Sequence, residues 1–241
     1  MTLGGTCFAH NALKLDYCIE ESLRSLSDVC DEVVFVDASS TDGTGDFVRR
    51  MRLPNVRVFE EPWEGEPVTH GAHLSRIANA ARKRLTTDYH FHLQADEVLY
   101  EVDYPTLKKY ALQGIPVTVQ RYNFWLDARH IAGAGHLCGN KVIRGAPSSW
   151  RLIGDAENID FACLPVETPI RLFHVGFIRV KEALIEKSIA QELRFWGGYN
   201  PVFDKLKTDD HALDNWVSEL HPYDGPWPAR LIPWLKARNR L

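Results

Sequence analysis

The stretch Asp31-Glu-Val-Val-Phe-Val-Asp-Ala-Ser-Ser-Thr-Asp-Gly-Thr44 predicts a buried strand that runs directly into a helix. Val33 to Val36 form a short apolar run, which is typical of a sheet covered on both faces. Asp37 falls at the carboxyl end of this strand, where open α/β sheets bind their ligands. The polar residues that follow suit a helix N-terminus, with capping candidates at Ser39, Ser40, Thr41 and Asp42. The pattern fits a ligand-binding turn, and it equally fits a well-capped βα turn without a ligand.

The rest of the first half alternates strand and helix patterns. Strands are predicted at residues 3–9, 31–37, 55–59 and 89–94, and helices at 15–27, 43–52 and 72–85. Strands separated by helices in this rhythm predict an α/β fold with a mostly parallel central sheet and right-handed crossovers.

The second half is richer in β-like runs. Strands are predicted at residues 115–125, 140–144 and 170–178, helices at 179–196 and 209–220, and an irregular tail at 222–234. Nothing resembles a linker or a repeat. We therefore predict one domain over residues 1–241, with a nucleotide-type α/β half to about residue 100 and a more variable half from about residue 101.

Composition excludes several classes of protein. The chain has 241 residues, a formal charge of −4 and a pI near 6.2, which argues against a general nucleic-acid binder. No run approaches eighteen apolar residues, so the sequence predicts no membrane span. The first residues lack the basic and apolar regions of a signal peptide, and we expect a cytoplasmic protein.

Five cysteines occur at positions 7, 18, 30, 138 and 163. The count is odd, and no pair has the spacing of a zinc site. We expect small buried hydrophobic residues in a reducing compartment, since no catalytic motif surrounds any of them.

A second group of acids stands in Leu93-Gln-Ala-Asp-Glu-Val-Leu99. Asp96 and Glu97 come just after the strand predicted at 89–94, again at the ligand-binding edge of the sheet. Paired carboxylates facing a diphosphate suit a hard divalent cation such as Mg²⁺ or Mn²⁺. The alternative is a helix N-terminus whose acids favour the helix dipole.

Together these segments resemble the family 2 glycosyltransferases, which have the GT-A fold. The resemblance rests on Asp37-Ala-Ser-Ser-Thr-Asp-Gly-Thr44 followed by Leu93-Gln-Ala-Asp-Glu97. Thr6-Cys-Phe-Ala-His-Asn-Ala12 and Ser22-Leu-Arg-Ser-Leu26 are similar to the first strand and helix of that family. Phe173-His-Val-Gly-Phe-Ile-Arg179 resembles the His-Tyr-Gly-Phe-Val-Arg type segment of some bacterial members.

The resemblance implies a role for each matching position. Asp37 would receive the base or ribose of a nucleotide-diphosphate sugar donor, with Ser39 and Asp42 near the same pocket or simply capping the helix. Asp96 would hold a Mn²⁺ or Mg²⁺ cofactor on the donor diphosphate, with His174 near the same metal or the leaving group. Without the resemblance, His174 on an apolar strand is typical of a hydrogen-bonded core residue.

One position departs from the family pattern. Gln94 stands where the first acid of the Asp-x-Asp motif is expected. Its amide can still bond the hydroxyls of a sugar, so Gln94 stays on the nucleotide side of the predicted site. The loss of one negative charge should weaken cation binding.

The implied chemistry is inverting transfer of a sugar to an acceptor hydroxyl on a glycan, a lipid-linked molecule or another compound. One carboxylate deprotonates that hydroxyl as it attacks the anomeric carbon. The candidates for this catalytic base are Asp155 and Glu157, with Asp127 behind them. The Gly-rich segment 130–139 is either a flap over the donor or an ordered surface loop.

Two other classes of function stay open. An inert nucleotide-sugar or glycan-binding protein is favoured by Gln94. A sugar-nucleotide nucleotidyltransferase should carry a Gly-rich loop after the first strand, where this chain has Ala9-His-Asn-Ala-Leu13.

Overall fold

The computed structural model describes residues 1–63, 71–133, 141–160, 163–191, 202–209, 211–213, 217 and 219–241. The strands are β1 (Leu3–Ala9), β2 (Glu32–Asp37), β3 (Val56–Glu60), β4 (Tyr89–His92), β5 (Glu97–Leu99), β6 (Val117–Asn123), β7 (His130–Ala132), β8 (Lys141–Pro147), β9 (Leu152–Ile153), β10 (Asn158–Ile159), β11 (Val166–His174) and β12 (Leu220–Pro222). The helices are α1 (Ile19–Val29), α2 (Thr44–Arg50), α3 (Ala72–Arg82), α4 (Tyr104–Leu112), α5 (Lys181–Gln191), α6 (Val202–Lys205) and α7 (Leu231–Lys236).

Eight strands form one sheet in the order β3-β2-β1-β4-β8-β6-β11-β5. The strands β3, β2, β1 and β4 are parallel to one another, and β6 is parallel to β11. The antiparallel pairs are β4–β8, β8–β6 and β11–β5. The predicted fold class, α/β with a mostly parallel central sheet, is confirmed, and this one sheet takes strands from both halves of the sequence.

The apolar pattern of the first half produces the buried layers. All seven residues of β1 are buried, and Val33 to Val36 in β2 have no exposed surface. Helix α1 covers one face of the sheet with Ile19, Leu23 and Leu26, which recur at helical spacing. These strands therefore have helices or loops on both faces, as their continuous apolar runs predict.

Some predicted elements of the second half are wrong. Within the predicted helix 209–220, the described residues 211–213 form a turn, and β12 begins at Leu220 and pairs with β7. The pairing with a distant strand overrides the helical propensity of this segment. The tail predicted as irregular contains α7, whose Leu231, Trp234 and Leu235 are buried at helical spacing.

Helix α4 was not predicted, although Pro105 in its first turn and the buried Leu107 and Ala111 are helix signals. Of the cysteines, Cys7, Cys18 and Cys30 are buried as expected, whereas Cys163 is exposed and Cys138 lies outside the described residues. In the described part of the chain, no helix is both long enough and apolar enough to cross a membrane.

Candidate active site

The sheet brings the two predicted acidic turns to the same edge. Strand β1 lies between β2 and β4, with Ala9 opposite Asp37 on one side and Thr6 opposite His92 on the other. Because all three strands are parallel, the turns after β2 and β4 lie on either side of the end of β1. This edge therefore carries both Asp37 and the segment that contains Asp96.

Strand β11 adds the predicted histidine. His174, its last residue, is paired in register with Glu97 of β5. The next backbone amide, that of Val175, donates a hydrogen bond of 2.9 Å to the carbonyl oxygen of Asp96. The structure thus places His174 beside Asp96, although 78 positions separate them in the sequence.

Asp37 is almost completely buried in the turn before α2. Its Oδ1 accepts a hydrogen bond of 3.1 Å from the backbone amide of Ser40. A side-chain carbon on Gly45 would lie only 2.3 Å from Asp37 Oδ2, so glycine is required there for the carboxylate to reach the first turn of the helix.

Asp42 has a structural role in the same turn. Its Oδ1 accepts hydrogen bonds from the backbone amide and the hydroxyl of Thr44, at 3.0 and 2.6 Å. Its Oδ2 accepts one of 2.8 Å from the Lys14 amide, which ties this turn to the loop after β1. Burial would raise the pKa of Asp42, but these hydrogen bonds hold it below its ordinary value. These hydrogen bonds stabilise the turn that leads into α2.

An aromatic pair borders the Asp37 turn. The rings of His10, which follows β1, and Trp63, which follows β3, stack with centroids 4.5 Å apart and planes 4° apart. His10 Nδ1 lies 2.6 Å from the carbonyl oxygen of Ala38, the residue after Asp37. Ser39, with a φ of 52°, donates to the carbonyl of Glu61 and accepts from the Trp63 amide. These contacts join the ends of β1, β2 and β3 beside the Asp37 turn.

The carboxylate of Asp96 is held by cations. Its Oδ2 lies 2.6 Å from an Arg179 guanidinium nitrogen, 3.1 Å from Lys187 Nζ and 3.8 Å from His174 Nε2. Burial alone would raise the pKa of Asp96, but the charges of Lys187 and Arg179 hold it well below its usual range. Asp96 is therefore ionised at neutral pH.

His174 is neutral in this cluster. Burial lowers its pKa to about 3, and Arg121 and Lys187 act in the same direction against the opposing effect of Asp96. A side-chain carbon on Gly176 would lie 2.6 Å from His174 Nε2 and 2.8 Å from Asp96 Oδ2. Glycine at that position is what allows the two side chains to approach each other.

The predicted metal ligands do not form a complete donor set among the described residues. Asp96 and His174 lie together, but the Asp96 oxygen that faces His174 is shared with Arg179 and Lys187. Gln94 donates its amide to Glu157 at 3.3 Å instead of facing Asp96. In the described ranges, no three His, Cys, Asp or Glu side chains are placed to hold one ion. Two cations already contact this single carboxylate, which is a poor fit for a divalent metal.

Beneath this cluster lies a buried network of four charged side chains. Glu97 Oε1 lies 2.5 Å from Arg144 and 3.5 Å from Arg121. Arg121 also contacts both carboxylate oxygens of Glu157, at 2.6 and 3.1 Å. Arg121, Arg144 and Glu97 are at most 1% exposed, and the two positive and two negative charges balance. The network fixes β5, β6, β8 and the β9–β10 turn relative to each other.

The two predicted base candidates differ in their surroundings. Burial would raise the pKa of Glu157, but Arg121 and Arg144 lower it to about 2. Asp155, half-buried in the same β9–β10 turn, has its pKa raised by burial and by the charge of Glu157. A carboxylate with a raised pKa accepts a proton more readily, so the surroundings favour Asp155 over Glu157 as a base.

Other predicted residues lie apart from this cluster or outside the described chain. Asp127 pairs with His130 at 2.9 Å in a partly exposed turn. Of the Gly-rich segment predicted as a flap, residues 134–139 lie outside the described residues.

Sequence reasoning missed Lys187, Arg121 and Arg144 as parts of the site. The one available signal for Arg121 and Arg144 was that each is an isolated arginine in a β-like run. Because an arginine is rarely buried unless it is paired, such a position indicates a buried partner. Lys187 gave no signal, since a lysine on a helix is usually solvated. Arg179 belonged to the segment that carried the family resemblance, yet its sequence did not show that it would be buried against Asp96.

No protein-family model and no curated protein matches this sequence. Among solved structures, the chain is similar to S. aureus TarS in complex with UDP-GlcNAc, with 15% identity and a TM-score of 0.47 over 77% of this chain and 64% of that one. It is also similar to the mannosyltransferase PcManGT from Pyrobaculum calidifontis in complex with GDP-Man and Mn²⁺ (24% identity, TM-score 0.38, 51% of this chain and 36% of that one).

A third similar structure is a putative glucose-1-phosphate thymidylyltransferase from Bacillus anthracis, with 8% identity and a TM-score of 0.48 over 76% of this chain and 94% of that one. The chain spans 40–66% of the length of the TarS chains it matches. The identities are below 25% and the TM-scores below 0.5, so these likenesses do not show what this chain binds or does.

Proposed function

We propose that this chain is a GT-A type glycosyltransferase, similar to family 2, that moves a sugar from a nucleotide-diphosphate sugar to an acceptor hydroxyl. The observation that carries the proposal is the placement of Asp37 and Asp96 at the ends of two strands that flank β1. Two carboxylates separated by one strand suit the two ends of a nucleotide sugar, with the nucleoside at Asp37 and the diphosphate at Asp96.

The nucleoside end of the donor is assigned to the turn that contains Asp37. Among the described residues, the Asp37 carboxylate accepts one hydrogen bond on Oδ1, from the Ser40 amide, and so retains acceptor capacity for a base amide or a ribose hydroxyl. The stacked rings of His10 and Trp63 lie beside this turn, and we assign them to the base, because base–aromatic stacking is worth about 1–3 kcal/mol per base.

The reaction proposed is a single displacement at the anomeric carbon. The oxygen of the acceptor hydroxyl bonds to that carbon while its bond to the diphosphate oxygen breaks, and the electron pair leaves with the nucleoside diphosphate. The hydroxyl proton passes to a carboxylate, a role that we assign to Asp155. The negative charge that develops on the diphosphate requires positive charge nearby.

Asp155→Asn should lower the rate of sugar transfer by about 10²–10⁴-fold, since it removes the proton acceptor. The affinity for the nucleoside diphosphate should not change. Release of nucleoside diphosphate from UDP-glucose, UDP-N-acetylglucosamine and GDP-mannose in the presence of candidate acceptors measures the rate. Asp160→Asn is the matched control, because Asp160 lies just after the same turn and pairs with Arg151 at the surface in the described part of the chain. An Asp155→Asn variant as active as this control would remove Asp155 from the mechanism.

The second candidate is an inert nucleotide-sugar-binding protein, and Gln94 is the observation that favours it. Gln94 is neutral and its amide donates to Glu157. The first position of the acidic motif therefore supplies no negative charge to the donor side. Such a protein would bind UDP or GDP but release no nucleoside diphosphate from UDP-glucose, UDP-N-acetylglucosamine or GDP-mannose. The same assay therefore separates the two candidates.

A further inference from the structure

The loop between β1 and α1, residues 10–18, lies between the two ends of the proposed donor site. On the nucleoside side, the Lys14 amide donates a hydrogen bond of 2.8 Å to Asp42 in the turn after β2. On the diphosphate side, the Leu15 carbonyl accepts a hydrogen bond from the guanidinium of Arg179. The same guanidinium lies 2.6 Å from the carboxylate that follows β4. A displacement of this loop would therefore disturb both ends of the site.

Asp16, in this loop, also binds the backbone beside Arg179. Its Oδ2 accepts a hydrogen bond of 3.0 Å from the amide of Val180, the residue after Arg179. The carbonyl of Arg179 itself accepts one of 3.3 Å from the side chain of Arg240. Both polar groups of the peptide bond that follows Arg179 are therefore bonded by side chains.

Arg238 in turn holds Asp16. Its Nε lies 3.1 Å from both carboxylate oxygens of Asp16, and its Nη2 donates to Oδ1. The two side chains are 21% and 12% exposed, so solvent screens this pair less than an ion pair at the surface. The guanidinium carbon of Arg238 lies 3.9 Å from the centre of the Trp234 ring, and Nη1 donates to the Trp234 carbonyl at 3.0 Å. A guanidinium bonded in this way is fixed in direction as well as in position.

Helix α7 and the turn after it fix the backbone of this arginine. Trp234 and Leu235 are buried in the core. Asn239 ends the helix in the left-handed conformation, with a φ of 52°, and its amide donates to the carbonyl of Lys236 at 3.1 Å. The Arg240 amide donates to the carbonyl of Leu235 at 3.0 Å, which completes a Schellman motif. Both arginines of this turn are therefore held on a packed helix and not on a free tail.

We propose that Arg238 is a positioning residue for sugar transfer, which acts through Asp16 to hold Arg179 against Asp96. The inference rests on the proposed glycosyltransferase function. Arg238 does not touch the donor. Its removal frees Asp16, and with it the loop and the peptide bond that hold Arg179 in place. A displacement of about 1 Å that begins far from the reacting atoms can cost about 10²-fold in rate.

The test compares wild type with Arg238→Ala, Arg238→Lys, Asp16→Asn and the control Arg230→Ala. Arg230 lies immediately before α7 and forms a bidentate ion pair with Asp28 of α1, with nitrogen–oxygen distances of 2.7–3.0 Å. The control therefore removes an arginine–aspartate pair made by the same part of the chain, but one that does not involve the loop after β1.

The rate is measured as release of nucleoside diphosphate from UDP-glucose, UDP-N-acetylglucosamine and GDP-mannose, in MnCl₂ and separately in EDTA. Affinity for UDP and GDP is measured by calorimetry. Thermal unfolding sets a working temperature at which every variant is folded, so that a loss of rate does not reflect unfolded protein.

Arg238→Ala should lower kcat by about 10–10²-fold and change the Kd of UDP or GDP by less than about threefold. Arg238→Lys keeps one donor for Asp16 and should recover part of the loss, although it cannot form the bidentate pair. Asp16→Asn should lower kcat to a similar extent, and its combination with Arg238→Ala should add little, because the two residues act in series. Arg230→Ala should match wild type.

Hydrogen exchange measures the positioning itself, without reference to activity. Peptides that cover residues 11–17 and 176–180 should exchange about tenfold faster in Arg238→Ala than in wild type, because hydrogen bonds to charged groups are lost there. The same peptides should exchange at the wild-type rate in Arg230→Ala.

A folded Arg238→Ala with the rate and the exchange pattern of Arg230→Ala would overturn the inference and leave the transferase function standing. Equal losses of kcat in the two arginine variants would also overturn it, because the effect would then be one of general stability. If wild type turns over none of the three donors, the proposed function fails and this inference fails with it.

Discussion

Asp96→Ala should reduce sugar transfer by at least about 10²-fold and lower the free energy of unfolding by about 3–5 kcal/mol. The activity falls because Asp96 positions Arg179 and Lys187 at the edge of the sheet that we assign to the donor diphosphate, and a small displacement there is enough for a loss of this size. The stability falls because Arg179 is buried and would keep its charge without a partner. Product release and urea denaturation measure the two effects.

Two further variants separate activity from folding. Asp96→Asn keeps the volume of the side chain and removes only its charge, so it should also lose activity. It still tests the prediction if Asp96→Ala does not fold. Asp160→Ala removes an exposed carboxylate paired with Arg151 and should cost less than about 1 kcal/mol. If either Asp96 variant transferred sugar at the wild-type rate, Asp96 would have no part in the site.

Glu97→Ala should be at least as destabilising, by about 3–5 kcal/mol, without touching the donor directly. Glu97 is fully buried and faces Arg121 and Arg144, which are also buried. Removing the carboxylate leaves Arg144 with the carbonyl of Ala156 as its remaining hydrogen-bond partner among the described residues. The stability falls because the substitution leaves a buried arginine charge without its counter-charge. Removing one partner of a buried ion pair costs more free energy than the formation of the pair contributes.

The measurement is the free energy of unfolding in urea, compared with that of Glu167→Ala. Glu167 pairs with Lys141 at the surface, where 66% of its side chain is exposed, so its removal should cost less than about 1 kcal/mol. Equal effects of the two substitutions would show that the buried network does not stabilise the fold.

The first half of the fold was predictable because its signals are local. Each signal lies within a few neighbouring residues: the apolar run of β2, the polar turn with Gly43, and the helical spacing of Leu23 and Leu26. The second half depends on pairing between distant segments, and that is where the predictions are wrong. Strand β12 exists because Leu220 pairs with Ala132, and no local pattern indicates this.

The site shows the same division. The sequence was sufficient to propose Asp37 and Asp96 from their positions after predicted strands. It did not show that Asp96 would contact Arg179 and Lys187, which lie 83 and 91 residues away. The consequence is chemical, because the carboxylate predicted to hold a metal lies against two basic side chains.

The central claim is that this sheet edge binds a nucleoside diphosphate, and thermal unfolding with UDP, GDP, ADP, CDP and dTDP tests it most directly. A ligand that binds only the native state stabilises it by about 2.7 kcal/mol at a concentration 100 times its Kd. We predict that one of these nucleotides raises the Tm of wild type and that Asp37→Asn loses most of this shift. If none of the five changes the Tm, with or without MnCl₂, the assignment of a nucleotide-sugar site to Asp37 and Asp96 is contradicted.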